Sequence, residues 1–182
     1  MPAYISLIRG INVGGHNKVK MALLRKSVET LGFRQVQTYI QSGNLVFQGT
    51  KQSTSTISRK IEDAILKKFG FSAPVITITA DEICATLDGN PFLKQKGIDV
   101  SKLHVIFLSG RPEAASVKKL EAIPSRDDRF EWRDQCLYLH LPDGTAQSKL
   151  ANAPLERLLS VRTTTRNWNT VNELHKMAQD CK

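Results

Sequence analysis

The sequence has few of the residues that build metal centres and disulfide frameworks. Its three cysteines, Cys84, Cys136 and Cys181, are far apart and form no C-x-x-C pair. An odd number of separated cysteines is typical of reduced thiols in a reducing compartment. Cys136 lies in a strand pattern with no base nearby in sequence, so we expect a buried structural thiol. The four histidines have no H-x-x-x-H or H-E-x-x-H spacing, so we expect no metal site, and nothing else indicates a cofactor.

Long hydrophobic runs are also missing. No apolar run approaches the ~20 residues that a membrane-spanning helix needs. The N-terminus has no basic segment, and its first apolar run stops at Arg9, so we expect no signal peptide, a cytoplasmic location and no membrane partner. A chain of 182 residues suits one large or two small domains.

Acidic residues are absent from three segments, which are residues 7–21, 36–49 and 161–172. The formal net charge is +9, and residues 1–98 hold most of it, with 13 lysines and arginines against 6 acids. This balance favours acidic or phosphorylated partners. The carboxylate-free segments are unsuited to divalent metals and lack the paired acids of a glycosidase.

An alternative interpretation of the positive charge is that lysines and arginines simply solvate helix faces. The residues that fit this interpretation are Lys26, Arg59, Lys60, Lys67 and Lys68.

The first carboxylate-free segment joins a predicted strand to a predicted helix through a glycine-rich loop. Glycines allow tight turns and let backbone N–H groups approach a ligand, and a strand–loop–helix connection is a common anion site. Gly10 and Gly15 have the spacing of a P-loop, but His16 and Asn17 stand where Lys and Ser/Thr are needed. The alternative is that Gly14 and Gly15 only make a tight connection.

The predicted elements of the first half follow the order β-α-β-β-α-β. Strands are expected at residues 3–9, 36–40, 45–47 and 74–78. One helix carries an apolar stripe from Met21 and ends with Gly32 as its left-handed C′ residue, while another covers residues 57–69. Residues 79–82 form a capping box for a short extra helix.

The second half repeats this order. We expect strands at residues 103–108, 129–133, 135–141 and 161–165, with a loop at 124–128. Pro112 is expected at N1 of a helix that reaches residue 122, and a helix near residues 150–159 is kinked or restarted at Pro154. Thr170 and Glu173 are expected to form the capping box of a terminal helix. The predicted domains are residues 1–98 and 99–182.

Three separated motifs carry a resemblance to a known family. They are LIRGINVGG with NKVKM at residues 7–15 and 17–21, TYIQSGNLVF at 38–47, and TTRNWNT at 164–170. In this order they resemble the bacterial domain-of-unknown-function family 1697, which has no established activity. The resemblance implies a two-part α+β protein of ferredoxin-like topology. We therefore expect duplicated ferredoxin-like βαββαβ units with antiparallel sheets and an extra C-terminal helix.

Cations, amides and backbone N–H groups without nearby acids suit an anion. We expect the three segments to surround one ligand site. Asparagine also fills turns and caps, and tryptophan often packs at a domain interface, so these structural interpretations stay open. The candidate ligand-binding residues are Arg9, Asn12, Gly14, Gly15, Lys18, Lys20, Ser42, Asn44, Lys149, Arg166, Asn167, Trp168 and Asn169.

The favoured hypothesis is a protein that binds a phosphorylated or otherwise anionic ligand, either a nucleotide or nucleic acid. One alternative is an enzyme acting on a small anionic substrate, with Arg9, Lys18 and Arg166 as electrostatic clamps. No catalytic base or nucleophile can be assigned, and Ser-His-Asp and G-x-S-x-G patterns are absent. Another alternative is a protein–protein interaction scaffold. RNA binding on an open sheet would need exposed aromatics, for which Tyr138 and His140 are the nearest candidates.

Overall fold

The first half of the chain folds as a split β-α-β arrangement. A computed structural model of the protein describes residues 1–123, 127–133 and 136–181. The elements are β1 (Ala3–Ile8), α1 (Met21–Glu29), β2 (Arg34–Tyr39), β3 (Asn44–Gln48), α2 (Thr54–Phe69) and β4 (Val75–Thr79). The strands form one antiparallel sheet in the order β2-β3-β1-β4. Helix α3 (Ala80–Asp88) follows, and short 3₁₀ helices lie at Pro91–Lys94 and Val100–Lys102.

The second half repeats the same topology. Its elements are β5 (Leu103–Leu108), α4 (Ala114–Glu121), β6 (Arg129–Arg133), β7 (Cys136–His140), α5 (Leu155–Leu159) and β8 (Thr163–Asn167), followed by α6 (Trp168–Asp180). The sheet order β6-β7-β5-β8 matches that of the first sheet, and every pair is antiparallel. The predicted α+β fold of duplicated βαββαβ units with a C-terminal helix is confirmed.

The chain divides into two compact units. The first is Met1–Ala85 together with Glu173–Lys182, and the second is Thr86–Asn172. In the first unit all six residues of β1 are buried, as expected for a largely apolar strand. Its core lies between the sheet and the two helices and includes Tyr4, Phe47 and Ile61. Each such buried side chain contributes roughly 1.5–3 kcal/mol to stability.

Side-chain hydroxyls form a small polar network within the first unit. Ser6 Oγ and Thr77 Oγ1 lie 2.8 Å apart on neighbouring strands, and Ser58 Oγ of α2 donates to Thr77 Oγ1 at 2.9 Å. These buried polar groups are therefore satisfied, which fixes how α2 sits on the sheet. One buried cluster of the second unit is aliphatic and joins Ile106 and Leu137 to Leu120 and Leu159.

Several predicted helix ends were wrong, and the reason is local capping. Helix α1 ends at Glu29 and Thr30 is its C-cap, so Gly32 lies one residue beyond C′. Gly32 is left-handed at φ +88°, and its N–H donates to the Glu29 carbonyl in an i→i+3 turn bond. Pro112 precedes helix α4, because Glu113 is the N-cap and its carbonyl accepts the N–H groups of Ser116 and Val117.

The capping of α6 also differs from the prediction. Asn167 Oδ1 accepts the Thr170 N–H at 2.8 Å, so Asn167 rather than Thr170 is the cap, and β8 runs on to Asn167. Pro154 is the N-cap of α5, which begins at Leu155, whereas residues 149–152 form turns. The helix expected near residues 150–159 therefore starts at Pro154 and is neither kinked nor restarted there. The predicted capping box of α3 is confirmed by the reciprocal bonds between Thr79 and Glu82. The predicted loop at 124–128 and the strand start at Gln135 involve positions outside the described residues.

Candidate functional site

The loop between β1 and α1 has an unusual backbone. We call residues 9–20 the basic loop. Within it Gly14 and Gly15 have φ of +59° and +80°, and Val13 and His16 form an isolated antiparallel bridge closed by a 3.1 Å hydrogen bond. Two consecutive positive φ values are the geometry of a tight hairpin turn. Gly14 and Gly15 therefore make the tight connection that the sequence allowed, and they stand exposed at its tip.

Asn12 holds the base of the basic loop. Its Oδ1 accepts the Val19 N–H at 2.8 Å, and its Nδ2 donates to the carbonyls of Val19 and Gln41 at 3.0 and 2.9 Å. Asn17 Nδ2 donates to the Gly10 carbonyl at 3.0 Å. Both asparagines are left-handed, with φ of +54° and +48°. Their amides thus fill turn positions, as the structural interpretation of the asparagines proposed.

The second carboxylate-free segment lies against the first. The Ile8 N–H donates to the Gly43 carbonyl at 2.7 Å, and Gln41 accepts from Asn12. Asn44 is fully buried and donates through Nδ2 to the Tyr39 carbonyl and to Ser42 Oγ, each at 3.1 Å. The basic loop and the β2–β3 turn therefore meet at one end of the first sheet, where Asn44 and Ser42 shape the turn.

Helix α1 begins without a side-chain cap. Lys20 is its N-cap residue and makes no capping hydrogen bond, and the first turn holds no acid. The N–H groups of Leu23 and Leu24 turn back to the Lys20 carbonyl, which leaves the preceding N–H groups without an i−4 partner. Lys18 and Lys20 are exposed at this end. Cations at the positive end of a helix dipole are unfavourable, and a bound anion would offset them.

The third carboxylate-free segment lies in the second unit. Arg166 on β8 is only 8% exposed, and its Nη1 donates to Thr164 Oγ1 and to the Thr165 carbonyl, both at 2.8 Å. Burial lowers the pKa of Arg166 to about 10, which still leaves it protonated at neutral pH. Trp168 is 5% exposed and packs inside, so it presents no open ring for stacking.

The remaining candidates of the second unit are exposed. Asn167 caps α6, and Asn169 lies in its first turn. Lys149 is exposed in the turn before α5. Its neighbour Ser148 is buried and accepts the Ala151 N–H at 2.8 Å, which is a turn-capping role.

Other chemistries find little support in the part of the chain that the structure describes. There, no three His, Cys, Asp or Glu side chains lie close enough together to hold a metal ion. None of its helices combines the length and apolar character needed to cross a bilayer. Cys136 is buried, as predicted. Tyr138 is 2% exposed and its hydroxyl donates to the Thr86 carbonyl at 2.8 Å, so it is closed to base stacking.

One candidate binding surface, a groove between two helices, was not predicted from the sequence. A groove of about 670 Å³ lies between α1 and α2, and four of its lining residues are lysines. In the sequence, the same lysines fit the alternative interpretation of solvated helix faces. The missed signal is that Lys67 and Lys68 follow Lys60 by seven and eight positions, which is close to two turns of α2, on a side shared with Lys26 of α1.

Comparison with known proteins identifies the family of this chain. A family model described as a protein of unknown function, DUF1697, matches residues 1–138. The chain belongs to this family. The match includes the basic loop and the β2–β3 turn, whereas the motif at 164–170 lies beyond it.

A solved structure gives the same architecture. A conserved bacterial protein from Streptococcus pneumoniae, SP0830, superposes with a TM-score of 0.77 at 24% sequence identity, covering 97% of this chain and 98% of that one. At this identity the likeness supports the fold alone. No curated protein matches the chain.

Proposed function

We propose that this DUF1697 protein binds a phosphorylated or otherwise anionic ligand, such as a nucleotide or nucleic acid, at the basic loop. The observation that carries the proposal is an ordered, acid-free loop that ends at an uncapped helix N-terminus. Its exposed polar groups are the lysines Lys18 and Lys20 and the backbone around Gly14 and Gly15. Phosphate groups bind at such places because N–H groups and the helix dipole both favour negative charge.

The residues of the loop have different roles in this proposal. Arg9, Lys18 and Lys20 supply positive charge, and lysine acts on phosphate as a point charge. No hydrogen bond of the described chain uses the N–H of Gly14 or Gly15, so both donors are open to a ligand.

The amides of the first unit act indirectly. Asn12 holds the loop in place through its bonds to Val19 and Gln41, and Asn44 and Ser42 hold the turn beside it. The ligand therefore meets charges and backbone donors that are fixed before binding, which lowers the entropic cost of association.

Binding measurements on matched variants test the proposal. Inorganic phosphate, ATP and a single-stranded RNA of roughly ten nucleotides are titrated into the wild type and into Lys18→Ala/Lys20→Ala. Loss of two charge-assisted contacts, each worth about 1.5–3 kcal/mol, should weaken binding at least about tenfold. Lys118→Ala/Lys119→Ala, on exposed lysines of α4, is the control for net charge and should bind as the wild type does.

The dependence of affinity on salt and on the variant shows whether the basic loop is the binding site. RNA affinity should fall with salt by about 0.7 log units per phosphate contact for each log unit of salt. If the wild type binds none of the three probes at low salt, or if both double variants lose affinity equally, the basic loop is not the site.

We also propose a cytoplasmic location. The three cysteines form no disulfide within the described chain, which suits a reducing compartment. Burial raises the pKa of the Cys181 thiol, which makes it less reactive.

A further inference from the structure

We infer that the groove between α1 and α2 is a docking surface for an acidic amphipathic helix of a partner protein. We call it the lysine groove. It has a volume of about 670 Å³ and lies on the helical side of the first unit. Its walls carry Lys26, Lys60, Lys67 and Lys68, with Asp63 as the one acidic residue among the described lining residues.

Among the described lining residues of the lysine groove, Asp63 alone offsets the positive charge of the four lysines. Lys26, Lys67 and Lys68 are exposed and form no ion pair within the described residues, while Lys60 donates to Gln52 Oε1 at 2.8 Å. Like charges gathered on one surface repel each other, and an acidic partner relieves that repulsion. Such complementarity also steers association and selects partners.

The lysine groove also has an apolar part. Its apolar lining residues, which we call the floor, are Leu23, which is 39% exposed, and the half-buried Leu31 and Ala64. An amphipathic helix places apolar side chains at i, i+3, i+4 and i+7 into such a groove, with its acids flanking them. Leucines on the partner would cover the floor while its glutamates reach the lysines on both walls.

Two other classes of partner fit the lysine groove less well. Single-stranded nucleic acid binds through aromatic stacking and arginine, whereas the cations here are all lysines and none of the described lining residues is aromatic. A membrane surface takes up protruding apolar side chains. Here two of the three apolar lining residues, Leu31 and Ala64, are half-buried and do not protrude.

A designed peptide tests the inference on the full-length protein. The probe is a fluorescent amphipathic helix of about 15 residues, with leucines on one stripe and glutamates beside it. A scrambled peptide of the same composition and a peptide with lysine in place of glutamate are the matched probes. We expect anisotropy to report binding of the acidic helix alone, weakened by added salt.

Variants then locate the binding. Lys26→Glu/Lys67→Glu should lower the affinity for the acidic helix at least about tenfold, because the variant replaces two attractive charge interactions by repulsive ones. Leu23→Ser should also lower this affinity, because it removes an apolar contact of the floor without changing any charge. Lys118→Glu/Lys119→Glu, with the same change of charge on exposed α4 positions, should bind as the wild type does. Circular dichroism confirms that each variant is folded.

Four results would overturn the inference. The first is failure of the wild type to bind the acidic helix, and the second is equal binding of the scrambled peptide. The third is an equal loss of affinity for the acidic helix in Lys26→Glu/Lys67→Glu and in Lys118→Glu/Lys119→Glu. The fourth is binding of phosphatidylserine vesicles or single-stranded RNA that Lys26→Glu/Lys67→Glu abolishes while the acidic helix does not compete. The anion site of the basic loop is probed separately, because Lys18 and Lys20 are unchanged in all these variants.

Discussion

At the scale of single residues, Gly43 holds the β2–β3 turn against the end of β1. Its φ is +82°, and a Cβ built there would lie 2.8 Å from the Ile8 carbonyl oxygen and 2.9 Å from Ile8 Cβ. Gly43→Ala should therefore cost about 1–2 kcal/mol for the left-handed backbone and a further ~1–3 kcal/mol for overpacking. Urea unfolding measures the sum.

Gly70 provides the control for backbone strain alone. Its φ is +78°, but nothing lies within 4 Å of a built Cβ. Gly70→Ala should therefore lower the free energy of unfolding only by the cost of the left-handed backbone, about 1–2 kcal/mol. Equal losses for the two variants would mean that the turn does not press against β1.

Two histidines of the second unit make stability depend on pH. Burial is the main cause that lowers the pKa of His140 below 6.5, and the nearby Arg129 adds to it. Arg129 Nη2 donates to His140 Nδ1 at 3.1 Å, a bond that needs the neutral ring. Burial likewise lowers the pKa of His104. Both rings therefore bind protons more readily in the unfolded chain than in the folded one.

The sign of the pH effect follows from linkage. The stabilisation from these neutral histidines is present above about pH 6.5 and is lost as the pH falls through the folded pKa values. The free energy of unfolding should therefore decrease between about pH 7 and pH 5. His104→Gln/His140→Gln should flatten that part of the curve, and an unchanged slope would contradict the assignment.

At the scale of elements, the order of the basic loop depends on one side chain. Asn12→Gly keeps a backbone that tolerates φ of +54° but removes the bonds to Val19 and Gln41. It should cost about 1–3 kcal/mol and speed hydrogen exchange of the Val19 N–H. Asn17→Gly removes one exposed bond to Gly10 and should cost less than about 1 kcal/mol. Equal exchange at Val19 in the two variants would refute the role of Asn12.

The elements that the sequence predicted best are those set by local pattern. The largely apolar run of β1 and the apolar stripes of α1 and α2 indicate buried faces from the sequence alone. Helix ends were predicted less well, because several residues compete for each cap. Asn167 and Thr170 both suit a cap, and only the geometry at the end of β8 selects Asn167.

The candidate site was predictable only in part, for the same physical reason. The glycine loop and its lysines are local, so the sequence indicates them directly. The hydrogen bond from Asn12 to Gln41 joins residues 29 positions apart, and no pattern in either segment predicts it. The lysine groove likewise requires α1 and α2 to pack together, which turns two ordinary charged faces into one concave surface.

At the scale of the whole molecule, one topology is used twice in the chain. The sequence prediction that residues 161–172 share a ligand site with the basic loop stays a prediction. A double-mutant cycle of Arg9→Gln and Arg166→Lys, read by ATP affinity, tests it. A shared site predicts a coupling energy above about 0.5 kcal/mol, whereas additive effects would mean that the arginines act separately.

The central claim is that an anion binds at the basic loop. The most direct measurement is an NMR titration of the full-length protein with inorganic phosphate and with ATP, following every backbone amide. We expect the largest shifts at Gly14, Gly15 and the first N–H groups of α1, and we expect these shifts to be lost in Lys18→Ala/Lys20→Ala. Saturable shifts centred on other residues, or none at all with either probe, would contradict this claim.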